Sequence, residues 1–145
     1  KKERKRLLEL MTVDLLPVSN DQYELQHEIK GKDTFADTRN GYKCRGIYPG
    51  GFFSYRMKVD STKNNELILM LAREGKPVEY EIYADDELLV SKSTMGGWPP
   101  RIYEENVAIP INITNNKSCI TIKFINKSEA AVFKLYGHVR MIAPR

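Results

Sequence analysis

The sequence predicts an all-β domain, an antiparallel sandwich of two sheets arranged in the manner of a jelly roll. Three observations carry that expectation. Apolar residues recur with a period of two, as in Phe53, Tyr55, Met57 and Val59, or Val78, Tyr80, Ile82 and Ala84. Glycine, proline, asparagine and aspartate punctuate the chain at short spacing. Helical periodicity is confined to the N-terminal end. The pattern gives about eight strands, and 145 residues suffice for one two-layer core.

The elements follow in order. Residues 1–11 read as a linker or the end of a preceding segment, where Leu7, Leu8, Leu10 and Met11 give a charged helix an apolar side; residues 12–145 form the sandwich. Thr12 to Leu16 is an entering strand ended by Pro17. Tyr23, Leu25, His27 and Ile29 share one parity, so 22–29 reads as a strand broken by Gly31. The stretch 30–51 has no sustained period and many turn formers, and reads as a long loop held by its own aromatics or serving as a working surface. Gly50-Gly51 then opens the central strand, with Phe53, Tyr55, Met57 and Val59 facing the core.

Downstream, 66–73 is apolar on both faces and reads as an interior strand. Residues 78–84 form a half-buried strand that turns at Asp85-Asp86 into Leu88-Leu89-Val90. Ser91 to Pro100 reads as a second glycine- and proline-rich loop. Ile102 to Ile109 is an irregular strand limited by Pro110, and Asn115 to Lys117 is a turn. Cys119 to Phe124 and 131–142 are the last strands, the latter interrupted by Gly137, which marks a bulge or a close approach.

The formal charge of +4 is concentrated at one end, because Lys1, Lys2, Arg4, Lys5 and Arg6 supply five of the 23 basic residues. Without these and Glu3 the remaining charges balance, which argues against a nucleic-acid module. No run is long and apolar enough to span a bilayer, so no membrane partner is expected. The chain opens on Lys1 rather than methionine, as an excised or processed fragment would. The cysteines are Cys44, in the loop-like region, and Cys119, which reads as a small core residue; their bridging stays open.

No G-x-S-x-G, glycine-rich phosphate loop or H-E-x-x-H is present, so no catalytic residue and no metal-ligand set is expected. Glu79, Glu81, Asp85 and Asp86 read as a polar strand face and a turn rather than a hydrolytic pair. His27 has a structural reading beside the long loop as well as a ligand-contact one, and His138 reads as a strand residue. The informative group is aromatic. Sugars are held by flat rings against their apolar faces and by planar or charged donors at their hydroxyls. Tyr42, Arg45, Tyr48, Phe52 and Trp98, with His27, are therefore the candidate ligand-binding residues. Trp98 is open to two readings, buried core or sugar platform. Arg45 could equally clamp a loop against Asp37 or Glu24. Sequons stand at Asn112, Asn116 and Asn126.

The run PGGFFSYRMKVD, with DQYELQHEIKG before it, resembles the C-terminal β-sandwich of bacterial glycoside hydrolase family 127 proteins, the β-L-arabinofuranosidase-like group. Gly50, Gly51, Phe52, Phe53, Ser54 and Tyr55 match one of its motifs. His27 and Gly31 match another, with Gln26 where that group has an acidic residue, and Arg45 falls where an arginine is common. Arg101-Ile102-Tyr103 leading to Ile109-Pro110, and Ile120 to Phe124, are similar to later segments. The chain departs from the pattern at Ala72, near an expected tryptophan, and at Glu129, Ala130 and Ala131, near expected glycines.

The resemblance implies a galactose-binding-domain-like sandwich. Its implied function is that of a noncatalytic accessory domain packed against a glycoside hydrolase domain of the same polypeptide; the alternative is a carbohydrate-binding module for plant or microbial glycans. Partners are then that catalytic domain and an oligosaccharide. The expected location is extracytoplasmic, secreted or periplasmic. No cofactor is expected, although a structural calcium, which often pins long loops in sandwiches, stays open.

Overall fold

The computed structural model describes residues 1–144, and in it nine strands form a continuous antiparallel array that folds over on itself. After helix α1 (Lys2–Met11), strand β1 (Thr12–Pro17) lies along the last strand, β9 (Phe133–Ile142). The array runs β6 (Glu87–Ser93), β5 (Glu79–Ala84), β8 (Cys119–Asn126), β3 (Tyr42–Lys58), β9, β4 (Asn65–Gly75) and β7 (Gly97–Ile109). Strand β3 belongs to both layers. Its residues 52–58 pair with β8, and its residues 44–47 pair with β9. The change of partner falls at Pro49-Gly50-Gly51, where Gly50 has φ +80°.

The alternation read in the sequence is the one that fills the core. Phe53, Tyr55 and Met57 from β3, Ile120, Ile122 and Phe124 from β8, and Tyr80 and Ile82 from β5 are buried against Leu67, Leu69 and Leu71 of β4 and Val139 and Met141 of β9. The Phe53 and Phe124 rings stack with centroids 4.9 Å apart. Each such side chain contributes roughly 1.5–3 kcal/mol by burial. The opposite face of β4 is also apolar, and Ala72 packs there with Cys44 and Tyr136 beside Met70 and Ile102.

Three segments differ from the sequence reading. The stretch read as a strand at 22–29 is instead helix α2 (Asp21–Gln26). Asn20 caps it, its side chain accepting from the Tyr23 N–H, and Asp21 and Glu24 lie in the first turn. The period of two was coincidental, and Leu25 projects into water.

The stretch 30–51 is no loop. Strand β2 (Lys30–Arg39) turns at Asn40-Gly41 into β3, with Arg39 opposite Tyr42. Both turn residues have positive φ, the requirement of a tight hairpin turn. Gly50-Gly51 therefore bends a strand rather than opening one. The loop expected at 91–100 shrinks because β7 begins at Gly97 and carries Trp98 on the sheet edge.

The cysteines exchange roles. Cys44 is fully buried, and Cys119 is only partly so because it sits on the outward parity of β8; both are free. Asn126 is fully buried: its Nδ2 donates to the carbonyls of Ile47 and Ala131, and its Oδ1 accepts from Ser128. That side chain fixes the connection from β8 to β9 and cannot carry a glycan. A short helix α3 (Ile111–Thr114) follows Pro110.

Candidate functional site

The β4–β5 turn, the β6–β7 connection and the start of β9 enclose a cleft of ≈ 210 Å³ on the outer face of the β9–β4–β7 layer. Glu74-Gly75-Lys76-Pro77 and Met95-Gly96-Gly97 close on one another so tightly that a Cβ at Gly96 would lie 2.9 Å from the Gly75 carbonyl oxygen. Gly75 and Gly97 face each other across the β4–β7 ladder. Trp98 follows, its indole lying over Gly75, where a Cβ would sit 3.5 Å from the ring. The indole is 70% exposed, which excludes the core reading.

Ala72, Val78, Ala131 and Val132 line much of the rest, and one polar group stands among them. Glu74 Oε1 lies 3.6 Å from Lys134 Nζ, and Asn40 at the hairpin tip donates to Glu74 Oε2 at 3.1 Å. Tyr136 lines the cleft while 1% exposed, its hydroxyl buried beside Asn40 with no regular hydrogen bond among the described residues. Burial, then the Glu74 carboxylate, push this phenol up from its ordinary range, so it stands as a neutral donor. The arrangement offers a flat apolar ring, a carboxylate and an ammonium around one small space. At this volume, below the roughly 300–1,000 Å³ of pockets that enclose drug-sized ligands, it suits a ring or two rather than a buried molecule.

The candidate residues do not all converge here. Tyr42 is 41% exposed and lies over Gly137 near Met70, on the same hairpin that sends Asn40 to Glu74. Tyr48 is exposed on the outer face and packs on Phe35. Phe52 lies on the other layer, beneath Lys123 Nζ at 4.7 Å from the ring centroid.

Arg45 turns inward. Its Nε and Nη2 donate to Glu24 at 2.7 and 2.9 Å, and its Nη1 to Thr34 at 3.2 Å. The Tyr55 hydroxyl also donates to Glu24. Burial disfavours the Glu24 carboxylate, but the hydrogen bonds from Arg45 and Tyr55 and the guanidinium charge outweigh it and hold the carboxyl below its ordinary range. The same burial and the adjacent carboxylate push Tyr55 up.

His27 ends α2. Its Nε2 lies 2.9 Å from Asp14 Oδ1 and its Nδ1 2.7 Å from the Tyr23 carbonyl oxygen, while Asp14 Oδ2 accepts from the Lys58 N–H at 2.9 Å. The ring ties α2 to β1 and β3.

Glu74, Lys134, Tyr136 and Asn40 were not singled out from the sequence. The signal for Asn40 was present in the Asn-Gly pair, whereas the others required the strand order. Among the described residues, no group of three or more His, Cys, Asp or Glu side chains could hold a metal ion. Asp85 is engaged by Lys117 at 2.8 Å and by the Thr121 N–H at 2.7 Å, and Glu81 by the Tyr83 hydroxyl at 2.9 Å.

Residues 7–142 match the profile of a family of unknown function, DUF6805. The chain belongs to that family. No curated protein matches it in sequence. Among solved structures, the fold is that of carbohydrate-binding modules. A family 35 carbohydrate binding module from Clostridium thermocellum superposes with TM-score 0.64 at 10% identity, covering 90% of this chain and 97% of that one. The CBM36-1 domain of a multidomain xylanase from the hindgut metagenome of Trinervitermes trinervoides gives 0.61 at 12% identity, covering 91% and 98%. A module CBM36 in complex with calcium and xylotriose gives 0.58 at 12% identity, covering 89% and 99%. The DUF6805 fold is thus an all-β antiparallel sandwich of the jelly-roll kind, spanning nearly the whole of each module.

Proposed function

We propose that this chain is a noncatalytic accessory domain that recognises an oligosaccharide, with Trp98 as the stacking platform. The observation that carries the reading is the exposure of Trp98, 70%, on a strand edge at a cleft that also holds Glu74 and Lys134. A large ring left in water contributes little to folding, and stacking on a sugar face uses it. Glu74 and Lys134 then receive sugar hydroxyls. The xylotriose named for one similar module supports a plant-type glycan as ligand.

The test is calorimetry of the wild type and Trp98→Ala against plant and microbial polysaccharides. Saturable binding by the wild type and its loss in Trp98→Ala, with the stability changed by less than about 1 kcal/mol, is expected. Silence across the panel, or binding indifferent to the substitution, overturns the reading.

A second role has its own observation. Helix α1 buries no residue and turns Leu7 (48% exposed) and Leu10 (59%) outward, held to the body by the Arg4–Glu104 pair at 2.9 Å. That side suits docking against a glycoside hydrolase domain of the same polypeptide; the PGGFFSYRMKVD run supports a family 127 type of parent, and an extracytoplasmic location is proposed with it. Changing both leucines to glutamine is expected to loosen the parent protein's domain packing and leave glycan binding intact. Unchanged thermal unfolding of the parent protein refutes the docking role.

A further inference from the structure

An aromatic pair adjoins the Trp98 cleft on the same outer face. Tyr48 is 51% exposed, and its ring centroid lies 4.8 Å from that of Phe35. Phe35 lies directly on Gly46, its partner across the β2–β3 hairpin, where any Cβ would come within 2.3 Å of the ring. Only a glycine admits this stack. Neither ring joins either of the two apolar clusters, so core packing does not account for the pair. What it achieves is a tyrosine held rigidly with a face in water.

Its place in the fold is informative. Ile47 pairs with Phe133, so Tyr48 stands beside Val132, which lines the cleft. Strands β9 and β4 lie between β3 and β7, which separates Tyr48 from Trp98 by about 14 Å measured across the strands, at roughly 4.8 Å per strand step. Between them lie Lys134 and Glu74. We propose that Tyr48, backed by Phe35, is a second sugar-stacking platform of the same groove, so that the ligand is a linear oligosaccharide crossing the strands rather than a chain end held at Trp98 alone. The inference rests on the glycan-binding reading above. Apolar ring faces of the chain meet an aromatic at each end, and hydroxyls between them face the Lys134 ammonium and the Glu74 carboxylate.

The experiment is a calorimetric titration with ladders of β-1,4-xylan, β-1,3-glucan and arabinan oligosaccharides, from disaccharide to hexasaccharide, on the wild type, Tyr48→Ala, Tyr48→Phe and Trp98→Ala. For one ladder, the wild type is expected to gain about tenfold in affinity between the shortest and longest members. Tyr48→Ala should lose that gain while keeping short-chain affinity, Tyr48→Phe should keep it, and Trp98→Ala should lose binding at every length. Equal affinity of Tyr48→Ala and wild type at all lengths, or loss of the gain in Tyr48→Phe, overturns the second platform and leaves the Trp98 reading standing. Absence of wild-type binding to every ladder overturns both.

Discussion

Replacing Arg45 by methionine tests whether the Glu24–Arg45–Tyr55 cluster is structural. The guanidinium supplies two of the donors to Glu24, at 2.7 and 2.9 Å, and the Tyr55 hydroxyl and the Ser19 N–H supply the others. Both partners are largely out of water, their side chains 11% and 3% exposed. Methionine keeps most of the aliphatic stem, so packing changes little, but the carboxylate is left buried without its counter-charge. Breaking a buried pair in this way costs about 3–5 kcal/mol. Because Tyr55 and Ser19 remain, the lower end of that range is expected here. A loss near 3 kcal/mol is a large part of the ~5–15 kcal/mol stability of a domain.

The assay is urea unfolding followed by far-ultraviolet circular dichroism, since the single tryptophan is exposed and reports poorly on burial. Combining Arg45→Met with Glu24→Leu removes the orphaned charge and should recover part of the loss. A cost below about 1 kcal/mol, the worth of a surface pair, would show that the pair does not hold the fold. Loss of glycan binding at unchanged stability would equally move Arg45 from the framework to the ligand.

Other outcomes follow from the same geometry. The folded-state Glu24 carboxyl lies below its unfolded value, so its stabilisation is full above the unfolded value and is lost as pH falls through the folded one; Glu24→Gln should be less stable at neutral pH and should lose less on acidification below about pH 4.3, and parallel acid-unfolding curves would contradict this. Gly51→Ala places a Cβ 2.6 Å from the Lys32 carbonyl oxygen and 2.9 Å from that of Asp33, both backbone, so a loss of about 1–3 kcal/mol is expected by chemical denaturation. At Gly50, where nothing lies within 4 Å and only the φ of +80° resists, asparagine should cost less. Burial, then the Asp37 charge, push the Cys44 thiol up, and Cys119 is partly exposed, so a thiol reagent should label Cys119 in the folded protein and reach Cys44 only in denaturant. Equal labelling rates would contradict the assignment.

The strands β4, β5, β8 and the later half of β3 were legible because each has one wet and one buried face, or two buried ones, and the period of two writes that difference into the residue types. The β2–β3 hairpin was not, because its strands alternate little: β2 buries none of its residues, and its sole local mark is Asn40-Gly41. Helix α2 was misread because it is short and buries only Glu24, so its apolar pattern carried no signal and its cap at Asn20 was the better guide. The sandwich, the face of each core strand and the aromatics available to a ligand were all readable from residue pattern. Which of those residues meet depends on how the strands are ordered in space. Trp98 comes to Glu74 and Lys134 because β7, β4 and β9 are neighbours, and Arg45 turns away to Glu24 because the two faces of β3 point into different environments. Strand order is set by long-range packing among residues far apart in the chain, and no local period encodes it.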